Sequence, residues 1–321
     1  MKAAGTPAPL LGSEASAPAA FPSWRLGLPH GRTLELGGGR PQVMGVLNLT
    51  PDSFSDGGRF WVEASGGAGR IDPEPVLAQA RAMLAAGAEL LDLGAESTRP
   101  AGRTYGAGAV TVAAEEEIAR LLPVLERLRA EFDAVLSVDT RKGAVARAAL
   151  AAGADLINDV SALGDPDLAA AVAAAGCPVV LMHSRGELAD MHLHARYEDV
   201  IGEVHAELAA ALARAERAGI DRAQVVLDPG IGFAKTRVHN LALLRRLDAF
   251  ADLGRPLLVG ASRKSFIGEL TGAPPADRLA GSLAAAGWAA RHGAAIVRVH
   301  DVEATVQFLA IDRAIAQAGP A

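Results

Sequence analysis

Five residues that can do chemistry stand at or near the ends of short apolar runs: Asn48 in QVMGVLN, Asp139 in VLSVDT, Asn158 in LINDV, Asp228 in VVLDPG and His300 in IVRVHD. An aspartate at a buried strand end is costly unless it is paired. Pointed inward, Asp139, Asn158 and Asp228 would form an acceptor-rich pocket, suited to a planar heterocycle that offers several N–H groups in a row. Salt bridging to Arg141 or capping of the next helix competes with that reading at any one position. Three such ends on one face favour the pocket. Asn48 adds an amide whose oxygen suits Mg²⁺ and whose N–H groups suit an anion. Arg298 and His300 are two apart on one run, so they share a face. A buried Arg on that face calls for an anion or an aromatic ring.

Three further segments carry polar groups. MGVLNLTPDSFSDGG, residues 44–58, places Thr50, Asp52, Ser53, Phe54, Ser55 and Asp56 ahead of Gly57-Gly58. Such a hinged segment with one ring suits a lid, or else an Asx- or Ser-rich turn. In GAESTRPAGR, Thr98 and Arg99 offer a hydroxyl and a fork of donors, suited to phosphate or carboxylate or to a solvated loop. In GASRKS, Lys264 and Ser265 lie where a strand gives way to a helix or turn. Free N–H groups there suit a carboxylate; an ordinary Ser cap with an exposed Lys is the alternative. Glu115, Glu116 and Glu117 read as first-turn acids complementing a helix dipole. His192 and His194 read as a surface pair, and Cys177 as buried packing.

Eight strand–helix units are needed to position these residues. The strands are continuous apolar runs rather than alternating ones, which marks a parallel sheet covered by helices. They are placed at Gln42–Leu49, Leu90–Gly94, Val135–Thr140, Leu156–Val160, Val179–Ser184, Val225–Pro229, Leu257–Ala261 and Ile296–Asp301. Helical periodicity falls at Pro75–Ala86, Val112–Glu131, Lys142–Ala152, Pro166–Ala175, Tyr197–Ala218, Val238–Phe250, Pro275–Arg291 and Val302–Ala316. Several of these stretches finish in an Ala-Gly turn. The alternation predicts a (β/α)8, or TIM, barrel. Two long connections, Thr50 to Asp72 and Ala95 to Thr111, follow strands and so lie on the face where barrel sites occur. Trp24–Leu28 and Thr33–Leu36 flank a Pro-His-Gly turn and predict a hairpin that plugs the opposite end. Residues 1–20, rich in Ala, Pro, Gly and Ser, predict a disordered tail ahead of a barrel domain at 21–318.

With 321 residues, half of them hydrophobic, the chain can build a large core. Aromatics are only 4%, so aliphatic side chains must fill it. A formal charge of −6 argues against a broad nucleic-acid footprint. No apolar run reaches the length of a membrane span. One cysteine permits no internal disulfide, which fits a reducing, cytoplasmic setting.

NLTPDSFSDGG, ESTRPAGR, SVDT, INDV, DPGIGF, SRKS and VRVHD, taken in that order, resemble the dihydropteroate synthases, folate-pathway enzymes of the pterin-binding barrel family. The resemblance spans roughly residues 22–318. It departs at Ala95, where the family commonly has Gly, and in the tail before Phe21. It implies a transferase that joins 6-hydroxymethyl-7,8-dihydropterin diphosphate to p-aminobenzoate, a sulfonamide target and a homodimer. In that family's pattern Asp139, Asn158, Asp228 and Lys264 bind the pterin, Met182 and Gly260 line its pocket, and Arg298 stacks on it. Asn48, Thr98, Arg298 and His300 hold the diphosphate, Asn48 with Mg²⁺. Phe54, Thr98, Arg99, Pro100, Phe233 and Ser265 shape the p-aminobenzoate site. Asp56 steadies the cationic pterin, and Asp56, Lys264, Arg298 and His300 form the implied catalytic set. A pterin-binding methyltransferase would share the barrel but has no need of the aryl-amine lid. A non-catalytic folate-binding paralogue would be expected to lose Asn48, Arg298 or His300, and all three are present.

Overall fold

The computed structural model describes residues 22–50, 61–62, 70–97, 111–187 and 190–318. Tail residues 1–20 and the loop residues Phe54, Asp56, Thr98, Arg99 and Pro100 lie outside these residues.

Eight parallel strands close on themselves in chain order. They are β1 (Gln42–Asn48), β2 (Leu90–Gly94), β3 (Val135–Asp139), β4 (Leu156–Asp159), β5 (Val179–Met182), β6 (Val225–Asp228), β7 (Leu257–Val259) and β8 (Ala294–Val299). β8 pairs back onto β1, with Ile296 opposite Gln42 and Val299 opposite Gly45. The outer layer holds α1 (Pro73–Ala85), α2 (Ala114–Glu131), α3 (Gly143–Ala151), α4 (Pro166–Ala175), α5 (Val200–Arg217), α6 (Arg237–Arg245), α7 (Leu279–Arg291) and α8 (Val302–Gln317), with a short helix at Ser265–Thr271 after β7.

The predicted barrel is therefore the observed one, and the differences lie at element ends. The helix expected from Tyr197 starts at Val200, because the Asp199 side chain accepts from Ile201 N and sets the cap there. The helix expected over 238–250 stops at Arg245. A 3-10 segment, Leu247–Leu253, follows and buries Leu247, Phe250 and Leu253, matching its three-residue repeat. The helix expected from Pro275 begins at Leu279, behind a 3-10 turn at Pro275–Asp277. The Ala-Gly ends behave as expected: Gly176 takes a left-handed conformation (φ 60°) and closes α4, returning its N–H to Val172 and Ala173 carbonyls.

Two apolar layers hold the barrel. The larger lies between strands and helices. The smaller fills the barrel's lower interior with Met44, Leu90, Leu156, Val180, Val226, Leu258 and Ile296. The antiparallel hairpin Ser23–Gly27/Thr33–Gly37 packs Leu26, Leu34 and Leu36 into that layer, sealing the N-terminal end. Side chains alternate along a strand, so the next inward positions toward the C-terminal ends are Asp92, Ser137, Asn158, Asp228 and Arg298. There the interior changes from apolar to polar.

Candidate active site

Arg298 reaches from β8 into the barrel. Its Nε donates to Asp92 Oδ2 at 2.6 Å, and its Nη2 donates to Asp139 Oδ2 at 3.1 Å. Asp92 also accepts from Asn158 Nδ2 at 3.1 Å and from Ser137 Oγ. Burial works against the charge on Arg298, but Asp92 and Asp139 more than offset it and hold the guanidinium firmly protonated. Asp139 is buried, and its Oδ1 has no hydrogen-bond partner. Burial pushes its carboxyl well above the usual range, opposed by Arg298 and reinforced by Asp92. The Arg141 alternative for Asp139 does not hold: Arg141 pairs with Glu96 and Glu187 instead.

Asp228 ends β6 and accepts from Gly230 N at 2.7 Å. Gly230 has φ +68°, and a Cβ there would lie 1.9 Å from the His183 carbonyl, so the chain can turn this tightly only as glycine. Burial raises the Asp228 carboxyl, while Lys264, the Gly230 N–H, Lys235 and Arg298 pull it back. Lys264 follows β7. Its ammonium donates to the Ile231 carbonyl and sits 4.5 Å from the centre of the Phe233 ring. Burial lowers its pKa to about 8, with Asp228 resisting and Arg298 adding to the fall. Asp139, Asp228, Lys264 and Arg298 thus act on one another across the C-terminal mouth.

The remaining sequence-predicted residues take their places around this group. Gly260 follows β7, where a Cβ would meet Arg298 Cβ at 3.7 Å and Lys264 Nζ at 3.9 Å. Met182 is buried on β5 opposite Asp228. His300 follows β8, with its Nδ1 3.1 Å from Ser262 Oγ. Asn48 closes β1 opposite Gly94. Ser265 is the first residue of the Ser265–Thr271 helix. His192 and His194 are exposed on a 3-10 turn whose Met191 packs against Ala234 and Phe233, and no group of three potential metal ligands of the His, Cys, Asp or Glu type occurs among the described residues. Cys177 is fully buried, its thiol pushed up to about 12 by burial.

Several residues at or near the site escaped the sequence reading. Asp92 was hidden in the apolar run LLDLG. Its signal was an acid at an inward position of a buried strand, which needs a cation such as Arg298. Lys235 lies just beyond DPGIGFA. Its Nζ is 2.9 Å from His183 Nδ1 and donates to the Phe233 carbonyl at 3.0 Å. Burial lowers Lys235 to about 7, and burial together with Lys235 keeps the His183 imidazole neutral against Glu207. Glu117 stands in the first turn of α2 as expected, and it is also buried and paired with Lys142 Nζ at 2.5 Å. Lys142 also meets Glu96 at 2.9 Å, and Glu96 accepts from Val112 N, so one carboxylate ties together the two described ends of the second long connection.

Known proteins share this barrel. The sequence model of the family described as pterin binding enzyme matches residues 44–300. The dihydropteroate synthase of Escherichia coli K12 is 44% identical over 282 residues, covering 88% of this chain and 93% of that protein. A Haloferax volcanii protein described as a probable bifunctional folylpolyglutamate synthase/dihydropteroate synthase is 45% identical over 278 residues, and the chain spans 31% of its length. The crystal structure of the Yersinia pestis dihydropteroate synthase with a sulfonamide drug complex superposes with a TM-score of 0.82 at 43% identity, covering 92% of this chain and 100% of that one. The chain belongs to the pterin-binding enzymes. Its activity within that family is the dihydropteroate synthase reaction.

Proposed function

We propose that the barrel mouth condenses 6-hydroxymethyl-7,8-dihydropterin diphosphate with p-aminobenzoate, giving 7,8-dihydropteroate and diphosphate. The observation that carries this assignment of roles is the pairing of opposites at one mouth. Two buried carboxylates, Asp139 with an unpartnered oxygen and Asp228, face two partly buried cations, Lys264 and Arg298. A pterin offers N–H groups to the first pair and carries its diphosphate toward the second.

In this reading Asp139, Asn158 and Asp228 accept from the pterin edge, Lys264 donates to it, Met182 and Gly260 bound its ring, and Arg298 stacks on it. Arg298 and His300 also hold the leaving diphosphate, with Asn48 and Thr98. Phe233 and Ser265 shape the aryl-amine site, with Phe54, Arg99 and Pro100 added from the loops. Asp56 joins Lys264, Arg298 and His300 as a catalytic group. Departure of diphosphate leaves a methylene cation conjugated with the pterin, and the fixed carboxylates favour that charge over water's weaker, mobile dipoles. The neutral aryl amine then attacks, and no covalent enzyme intermediate is required.

The donor set at the mouth fits Mg²⁺ bound largely through substrate. One amide oxygen, that of Asn48, is the hard ligand a magnesium ion takes alongside phosphate oxygens and water. When bound, Mg²⁺ would neutralise the charge that grows on the diphosphate.

A sulfonamide would compete at the aryl-amine site, as expected from the drug complex of the Yersinia relative. A cytoplasmic homodimer is also proposed. Exposure of Val238 and Leu241 on α6 and of Trp288 on α7 supports the dimer. Incubation with both substrates and Mg²⁺, followed by mass spectrometry, tests the reading. Dihydropteroate should accumulate and a sulfonamide should suppress it; its absence from folded protein would refute the proposal.

A further inference from the structure

The third residue of β2, Asp92, faces the barrel interior in register with Val46 on β1 and Ser137 on β3. It has no solvent exposure. Its oxygens are taken by side chains from three other strands: Ser137 Oγ on Oδ1, and Asn158 Nδ2 and Arg298 Nε on Oδ2. Two of those partners, Asn158 and Arg298, are assigned to pterin binding above, yet Asp92 itself has no role in that assignment.

A carboxylate only accepts. Asn158 must therefore turn its NH₂ toward Asp92, and the planar amide then directs its oxygen to the opposite edge. Arg298 is fixed by a carboxylate on each of two nitrogens, Nε and Nη2, which sets the plane of the guanidinium. We propose that Asp92 is a positioning residue for the pterin diphosphate. By accepting from Asn158 and Arg298 together, it decides which edge of the Asn158 amide the ligand meets and the plane in which Arg298 lies. This inference rests on the reading of the mouth as the pterin site.

An amide at position 92 would accept on one atom and donate on the other. Asn158 could then sit either way round, and Arg298 would be drawn to Asp139 alone. The charge of Asp92 also acts on Asp139. Among the described residues, the charged groups facing Asp139 include Arg298 from β8, Asp92 from β2, Glu117 from α2, Asp159 from β4 and Lys264 after β7. Arg298 favours the ionised form of Asp139, whereas Asp92, Glu117 and Asp159 oppose it.

The test is Asp92→Asn, with pterin diphosphate binding measured by calorimetry across pH and turnover measured with both substrates. Binding should weaken about 10- to 100-fold, the scale of losing a charge-assisted hydrogen bond. The KM for p-aminobenzoate should stay at its wild-type value. The pH midpoint of pterin binding should move down, because Asp139 loses a negative neighbour; a merely structural role would not separate pterin affinity from the KM for p-aminobenzoate in this way. A folded Asp92→Asn with wild-type affinity and midpoint overturns the proposal. If that variant does not fold, Ser137→Ala decides. It keeps every charge and frees one Asp92 oxygen, so weaker pterin binding supports the proposal and unchanged binding overturns it. Wild-type protein without turnover would instead sink the reading of the mouth itself.

Discussion

Asp139 and Arg298 meet across the barrel from β3 and β8, Nη2 to Oδ2 at 3.1 Å, and the second oxygen of the same carboxylate is buried without a partner. A buried acceptor left in that state costs free energy. A ligand N–H that reaches Oδ1 removes the cost, so the site is built to gain from a donor-rich edge. Asp228, another buried acid of the mouth, uses Oδ1 to hold its own turn.

Asp228→Asn is expected to weaken pterin binding by roughly 1.5–3 kcal/mol, the range for hydrogen bonds to charged groups. Binding of p-aminobenzoate should change far less. Calorimetry on the folded variant with each ligand separates the two, and unchanged pterin affinity would remove Asp228 from the site.

Arg298→Lys keeps the charge but cannot satisfy Asp92 and Asp139 together, because the planar fork is lost. Turnover at saturating substrate should fall steeply, since charge on the leaving group grows as its bond breaks. Compared at matched thermal stability, near wild-type turnover would leave only a generic positive charge at this position.

Leu26→Ala addresses the opposite end of the barrel. Leu26 is fully buried in the hairpin plug. Its truncation should cost about 2–5 kcal/mol of stability. Turnover per folded molecule should be unaffected, because the plug seals the end away from Asp228. Chemical denaturation and an activity assay below the transition check both halves.

Lys235 ties stability to pH. Its folded pKa of about 7 lies below the ordinary lysine value of 10.5. Between those values the unfolded chain holds a proton that the folded chain lacks. This group's contribution therefore rises with pH across that window and is lost as pH falls through about 7. Lys235→Met has no such proton, so its stability should vary less steeply than wild type from about pH 7 upward. Equal slopes in denaturation series at stepped pH would contradict the enclosed state of the ammonium between His183 and Phe233.

The barrel was legible because its strands are buried on both faces and read as unbroken apolar runs between helical stretches. The strand-end residues Asp139, Asn158, Asp228 and Arg298 were legible for the same reason: polar groups there need partners. Asp92 and Lys235 were not. A single acid inside LLDLG looks like a break in an apolar pattern until β8 brings Arg298 against it. Lys235 is placed by the left-handed turn at Gly230, which no periodicity records. Helix ends moved for local reasons, as at Asp199, whose side-chain cap outweighs the apolar pattern beginning at Tyr197.

The central claim is that one mouth binds the pterin diphosphate and transfers its pterin to an aryl amine. The most direct measurement follows diphosphate and dihydropteroate together in one reaction with Mg²⁺, adding p-aminobenzoate to protein already holding the pterin diphosphate. The account predicts that both products appear in equal amounts, depend on p-aminobenzoate and fall when Mg²⁺ is chelated. Folded protein that binds the pterin diphosphate yet forms no dihydropteroate on addition of p-aminobenzoate would contradict it.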